Sequence, residues 1–233
     1  MAYYMVHVCN DRLWYVKNFL LPSMIEQGID PHSILVYQDK NGIGNLRSFI
    51  DSCNRLCHNQ SVGSSVWHLQ DDVCVCSDFA ERTFLLDSWS DDNEIICGFT
   101  CEYDKTPVAG RFKVYEEKMW FSFPCIRIPM SITRDFTRWA NVNLWQSQYF
   151  RGAVLRDKYD DLVFREWLID SHWDCDVLNL APNLVNHIDD IIGGSVCNKQ
   201  RDKEQNTRSI FWDDDKLIKD LEKRINEYKL SST

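Results

Sequence analysis

Two adjacent carboxylates close an apolar run in HLQDDV (68–73), where Asp71 and Asp72 come almost directly after Ser65 to Leu69. In an open α/β sheet, ligands sit at the carboxyl ends of the strands. An acid pair there can take a hard divalent cation, which chooses oxygen ligands. Such a cation neutralises a diphosphate and stabilises it as it leaves. A plain acidic turn would read the same way, because Asp is a common turn residue. His187, in PNLVNHI (182–188), reads alone as a packed histidine. Beside the acid pair it becomes a candidate third ligand. Gly193, Gly194 and Ser195 follow in IIGGS (191–195). Paired glycines suit a loop that approaches phosphates or closes over them, and equally an ordinary turn.

Two further stretches carry chemistry. KYDDLVFREW (158–167) puts Asp160 and Asp161 at the start of an apolar-periodic segment. The helix dipole favours acids there in any case. The functional alternative is a general base that takes a proton from an acceptor hydroxyl. KMWFSFPCIRIP (118–129) offers Lys118, Trp120, Phe123 and Arg127 as an acceptor platform. Aromatic rings stack on sugars or bases, and arginine holds phosphates. A core strand ending at Pro129 accounts for about half of the same side chains by alternation.

These residues need elements to position them. Tyr3 to Val8 reads as a buried strand, and Leu13, Val16, Phe19, Leu20 and Met24 recur at helical spacing. Ser33 to Tyr37 reads as a second strand, Gln38 to Gly44 as a turn, and Leu46 to Leu56 as a second helix. Ser65 to Leu69 and Glu94 to Phe99 are further strands, separated by a helix that Ser77 can cap. Beyond Cys101 the pattern reads as irregular, with a helix from Asp161, a short strand at Val177 to Leu180, a loop over 181–199 and a charged tail helix. Strands alternating with helices predict an α/β fold with a mostly parallel, Rossmann-type sheet flanked by helices. The predicted organisation is one domain over 1–233: a nucleotide half (1–100), an acceptor half with a metal and lid loop (101–200), and a C-terminal helix (201–233).

Composition narrows the class. Hydrophobic residues make up 44% of the 233, enough for a full core. No apolar run approaches the roughly 20 residues of a membrane span, and the amino terminus lacks a signal-peptide layout, so the expected location is the cytoplasm. Ten cysteines lie largely within apolar runs, as Cys97 and Cys125 do, and read as reduced, packed thiols. Net charge is −9, but 105–156 carries nine Lys/Arg against three acids, leaving 17 basic and 32 acidic residues elsewhere. The centre of the chain is therefore locally basic and aromatic.

HLQDDV, KMWFSFPCIRIP, YDDLVFREWL (159–168) and LAPNLVNHIDDIIGGS (180–195), in that order, resemble GT-A glycosyltransferases. The likeness is to small phage-encoded enzymes, including those found beside TET-like oxygenases. It implies a GT-A-like fold and a Mn²⁺- or Mg²⁺-dependent transfer from a nucleotide-sugar, a UDP-sugar above others, to a hydroxyl. The implied metal ligands are Asp72, with Asp71 beside it, and His187. Gln70 stands where the family has its first acid. Asp161 would be the base, with Asp160 as its competitor. Cys9, Asn10, Arg12, Gln38, Asp39, Gln70, Gly193, Gly194 and Ser195 would face the donor. The implied acceptor is 5-hydroxymethylcytosine or another hydroxymethylpyrimidine in phage DNA, inside an infected bacterial cell. A cell-surface saccharide is the rival acceptor, and a non-catalytic nucleotide- or sugar-binding module the rival class.

Overall fold

The computed structural model describes residues 2–58, 65–100, 109–113, 123–144, 160–193 and 212–231. Lys118, Trp120, Gly194 and Ser195 lie outside them. A seven-stranded sheet runs β2 (Ile34–Asp39), β1 (Tyr4–Cys9), β3 (Ser65–Gln70), β7 (Cys125–Pro129), β5 (Glu94–Cys97), β8 (Asp176–Asn179) and β6 (Gly110–Lys113). Five strands share one direction; β7 and β6 oppose it. A separate ribbon joins β4 (Val73–Val75) to β9 (Val185–His187). The expected α/β architecture, a mostly parallel sheet flanked by helices, is present.

Alternation along the central strands sends side chains to two cores. Tyr4, Val6, Val8, Trp67 and Leu69 face one core. The helical run over 13–26 closes it, with α4 (Phe79–Trp89) and the tail helix α8 (Asp215–Ser231). Within that run Val16–Leu20 is π-wound. Pro22 lacks an N–H and its ring crowds the carbonyl four residues back, so a wider turn ahead of it relieves the clash. Ile126, Ile128 and Ile95 face the other core, against α3 (Asn45–His58), α5 (Met130–Asn143) and α6 (Asp160–Asp170).

Some expectations shift. β2 runs through Gln38 and Asp39, so the turn starts later than the sequence suggested. Asp39 then accepts hydrogen bonds from the N–H groups of Asn41, Ile43 and Gly44. The stretch beyond Cys101, read as irregular, contains β6, β7 and α5. Ile132, Phe136 and Ala140, buried at fourfold spacing, are the helical signal for α5. The expected loop over 181–199 contains β9 and the single turn α7 (Asp189–Ile192).

Candidate functional site

Parallel pairing fixes where the carboxyl ends of three strands meet. Cys9 pairs with Asp39, and His7 with both Tyr37 and Gln70. The residues just beyond, Asn10 and Asp71, therefore emerge side by side. The Cys9 N–H donates to Asp71 Oδ2 at 2.6 Å. Asn10 donates to the Lys40 carbonyl at 2.9 Å and accepts from Gln38 Nε2 at 2.8 Å. Cys9, Asn10, Gln38, Asp39 and Asp71, five of the expected donor-site or metal residues, thus form one rim.

The ribbon brings in the distant histidine. Val73 stands opposite His187, and the Ile188 N–H donates to the Asp72 carbonyl at 2.8 Å. Arg82 of α4 holds the approach to β9 by donating to the carbonyls of Pro182 and Asn183. His187 Nε2 then lies 3.0 Å from Asp72 Oδ2, and its Nδ1 lies 3.3 Å from Asp189 Oδ1. Asp189 orients the ring, as a partner on the second nitrogen of a functional imidazole commonly does. The sequence reading missed it, although an acid two residues after a candidate histidine was the available signal. Tyr15 was missed as well. It is buried and donates to the Val73 carbonyl at 2.8 Å, pinning the ribbon to the helical run.

Arg12 was expected at the donor. Its guanidinium turns inward, with Nη1 3.1 Å from Asp71 Oδ1 and in contact with Asp72 Oδ2. The cluster holds three acids, Asp71, Asp72 and Asp189, against Arg12 and His187. One negative charge remains when all are ionised. Burial raises the Asp72 carboxyl, but His187 and Arg12 outweigh it and hold Asp72 well below the usual carboxylate range. Burial and the neighbouring Asp72 charge push Asp71 the other way, against Arg12 and the Cys9 N–H. Burial works against the His187 proton, yet Asp72 and Asp189 lift that imidazole to about 9.

Among the described residues, no group of three or more His, Cys, Asp or Glu side chains is arranged to hold a metal ion. Arg12 and His187 already engage the oxygens that would converge. Yet Asp72 Oδ1 is buried without a hydrogen-bond partner. A buried, unpartnered carboxylate oxygen is costly and is a natural place for a cation. Asp71 and Asp72 supply the oxygens that Mn²⁺ or Mg²⁺ prefers, and a deprotonated His187 supplies nitrogen for Mn²⁺. The donor atoms suit such an ion in their chemistry, and Arg12 and His187 stand between them and a common centre.

The remaining candidates are dispersed. Asp160 is buried at the start of α6. Burial first, then the charge of Asp161, pushes it up to about 8, and Asp72 adds to the effect. Asp161 is less buried and its Oδ1 accepts the Leu162 N–H at 2.8 Å. Gln70 is half-buried at the end of β3, and Gly193 caps α7 at φ +125°, where a side chain would be strained. Phe123 and Arg127 depart from the acceptor platform. Phe123 is buried between Phe49 and Phe164. Arg127 is 1% exposed in β7, and its Nε donates to Asp87 Oδ1 at 2.6 Å. Alternation sends Arg127 into the sheet core beside Trp67, its antiparallel partner.

No family model matches the chain, and no curated protein sequence does. Solved structures that it resembles include A197 from STIV, with 11% identity, TM-score 0.46, and 81% of this chain aligned to 86% of that one. A putative glucose-1-phosphate thymidylyltransferase from Bacillus anthracis gives 5% identity, TM-score 0.44, and coverage of 80% and 89%. The inositol-1-phosphate CTP transferase from T. maritima gives 11%, 0.41, and 81% and 89%. Likenesses this loose assign neither a residue nor an activity to this chain.

Proposed function

We propose that this chain is a divalent-metal-dependent glycosyltransferase that uses a nucleotide-sugar donor, a UDP-sugar above others. One observation carries the reading: the Asp71–Asp72 pair at the carboxyl end of β3, joined to His187 by the β4–β9 register. The rim of Cys9, Asn10, Gln38 and Asp39 lies beside it, where a sheet of this kind receives a nucleotide. Asp72, Asp71 and His187 would hold the metal. The ion would offset the charge of the departing diphosphate. The cluster's own excess of one negative charge cannot do so unaided.

Asp161 is the base we assign for the acceptor hydroxyl, because its neighbour Asp160 keeps its proton at neutral pH. The acceptor we propose is a hydroxymethylpyrimidine in DNA, which would have to leave the base stack to be reached. Its support is the sequence likeness and the basic segment 105–156. Part of that charge is committed within the fold: Arg111 to Glu94, Lys113 to Asp174 and Asp176, and Arg127 to Asp87.

The test is incubation with Mn²⁺ and a panel of nucleotide-sugars, with hydroxymethylated DNA or a saccharide as acceptor. Nucleoside diphosphate release and nucleoside masses are then read. Release from one donor, with a hexose or pentose mass added to the hydroxymethylated nucleoside, supports the whole reading. Added mass on the saccharide alone keeps the transferase and removes the DNA acceptor. No release from any donor sinks the proposal. Asp72→Ala should lower release on the order of a thousandfold, the scale of losing a metal's charge stabilisation.

A further inference from the structure

Arg12 sits where the expected metal would act. It ends the short 3-10 turn Asn10–Arg12 that follows β1, and it is 5% exposed. Its Nη1 donates to Asp71 Oδ1 at 3.1 Å and also reaches Asp72 Oδ2, the oxygen that faces His187 Nε2 at 3.0 Å. Asp71 Oδ2 takes the Cys9 N–H at 2.6 Å. Of the pair's four carboxylate oxygens, only Asp72 Oδ1 is buried with no hydrogen-bond partner. The guanidinium thus holds one oxygen of each acid and leaves a single position open.

We propose that Arg12 is a resident counter-cation of the Asp71–Asp72 pair, and that it couples metal loading to nucleotide binding. The inference rests on the metal-dependent reading above. A divalent cation and a guanidinium that share carboxylate oxygens repel each other, so the ion alone binds weakly. A diphosphate offers the guanidinium better partners, because its planar fork suits paired phosphate oxygens. Once Arg12 turns to the diphosphate, it gives up Asp71 Oδ1 and its share of Asp72 Oδ2 to the metal, beside the open Asp72 Oδ1. Metal and nucleotide therefore bind cooperatively, and by linkage each tightens the other by the same factor. Removing Arg12 should favour the metal alone while leaving the nucleotide with fewer contacts.

Free Mn²⁺ measured by electron paramagnetic resonance during titration tests this without turnover, after correction for the Mn–UDP complex in solution. For the wild-type chain, saturating UDP is expected to tighten Mn²⁺ about tenfold or more, within the usual range of coupling between sites. In Arg12→Met, Mn²⁺ alone is expected to bind about tenfold more tightly than in wild type, with little further gain from UDP. Arg12→Lys retains the charge without the fork. It should keep weak binding of Mn²⁺ alone and lose part of the UDP affinity. Unchanged or weaker Mn²⁺ binding by Arg12→Met overturns the proposal and leaves the metal site standing. If that variant does not fold by circular dichroism, wild type and Arg12→Lys decide, and the absence of UDP coupling in wild type overturns it. No Mn²⁺ binding by any form, with or without UDP, removes the metal-dependent reading itself.

Discussion

Asp160 and Asp161 are neighbours in the chain with different surroundings. Asp160 is buried and carries its proton up to about pH 8, whereas Asp161 is half-buried and accepts the Leu162 N–H. A group protonated at pH 7 is a poor base there. Asp161→Asn should therefore lower turnover by roughly a hundred- to ten-thousandfold, the usual worth of general base catalysis. Asp160→Asn should stay within about tenfold of wild type on the same scale. If Asp160 is the base instead, the wild-type rate at subsaturating acceptor will climb to about pH 8 and the two variants will exchange effects. Arg127 gives a second contrast. Its ion pair with Asp87 is buried on the arginine side, and breaking such a pair by removing one partner costs about 3–5 kcal/mol. Arg127→Met should lower stability in a urea titration by about 3 kcal/mol. Were Arg127 an acceptor contact, stability would hold and only the acceptor KM would rise. The acid pair was legible in the sequence because it directly follows an apolar strand. The partner of Arg12 was not, because Asp71 lies 59 positions further along the chain and only parallel pairing of β1 with β3 brings them together.

At the scale of elements, the β4–β9 ribbon makes the site. Three-residue strands give little periodicity, so neither was visible in the sequence, whereas the six-residue apolar strands β1 and β3 were. β7 could be read only as an alternative to an acceptor platform, since a fully buried aromatic or arginine leaves the same letters as an exposed one. The ribbon's closing bond, from the Ile188 N–H to the Asp72 carbonyl, separates backbone from side-chain effects. Ile188 is fully buried, so both Ile188→Ala and Ile188→Pro lose packing, at about 2–5 kcal/mol. Only the proline removes the N–H. Ile188→Ala should retain Mn²⁺-dependent UDP binding by calorimetry. Ile188→Pro should lose it by about tenfold or more, the scale of one buried bond left unmade. Equal binding by the two would mean that the ribbon does not position His187.

Across the whole molecule, buried titrating groups set the pH at which the fold is most stable. His7 and His68 lie 3.0 Å apart between β1 and β3. Burial lowers His7 to about 4, and burial with the neighbouring imidazole lowers His68 well below 6.5. Between pH 6.5 and about 4 the unfolded chain takes up protons that the fold refuses, so acid favours unfolding. Asp160 acts with the opposite sign. Its folded value of about 8 stands above the unfolded 3.8, so its contribution is complete in acid and is lost as pH rises through about 8. Below 6.5 the two histidines act against Asp160 and Asp71, both raised carboxyls, and above 6.5 Asp160 and His187, lifted to about 9, both lose stability as pH rises. Together they place maximum stability near pH 6.5, falling on the acid side by at most about 1 kcal/mol per unit. Urea midpoints from pH 4.5 to 8.5 would show this, and His68→Gln should flatten the acid limb. A wild-type curve that keeps rising above pH 7 would contradict the Asp160 and His187 assignments together.

The same ribbon bears on how the chain is born. Arg12, Asp71 and Asp72 leave the ribosome more than a hundred residues ahead of His187 and Asp189. At roughly 5–20 residues per second, the growing chain spends seconds with the acid pair made and its histidine still unsynthesised. During that interval Arg12 is the cation at hand. A nascent chain stalled before residue 187 would carry a paired but incomplete centre, and the proposed catalysis would become possible only once Asp189 is made.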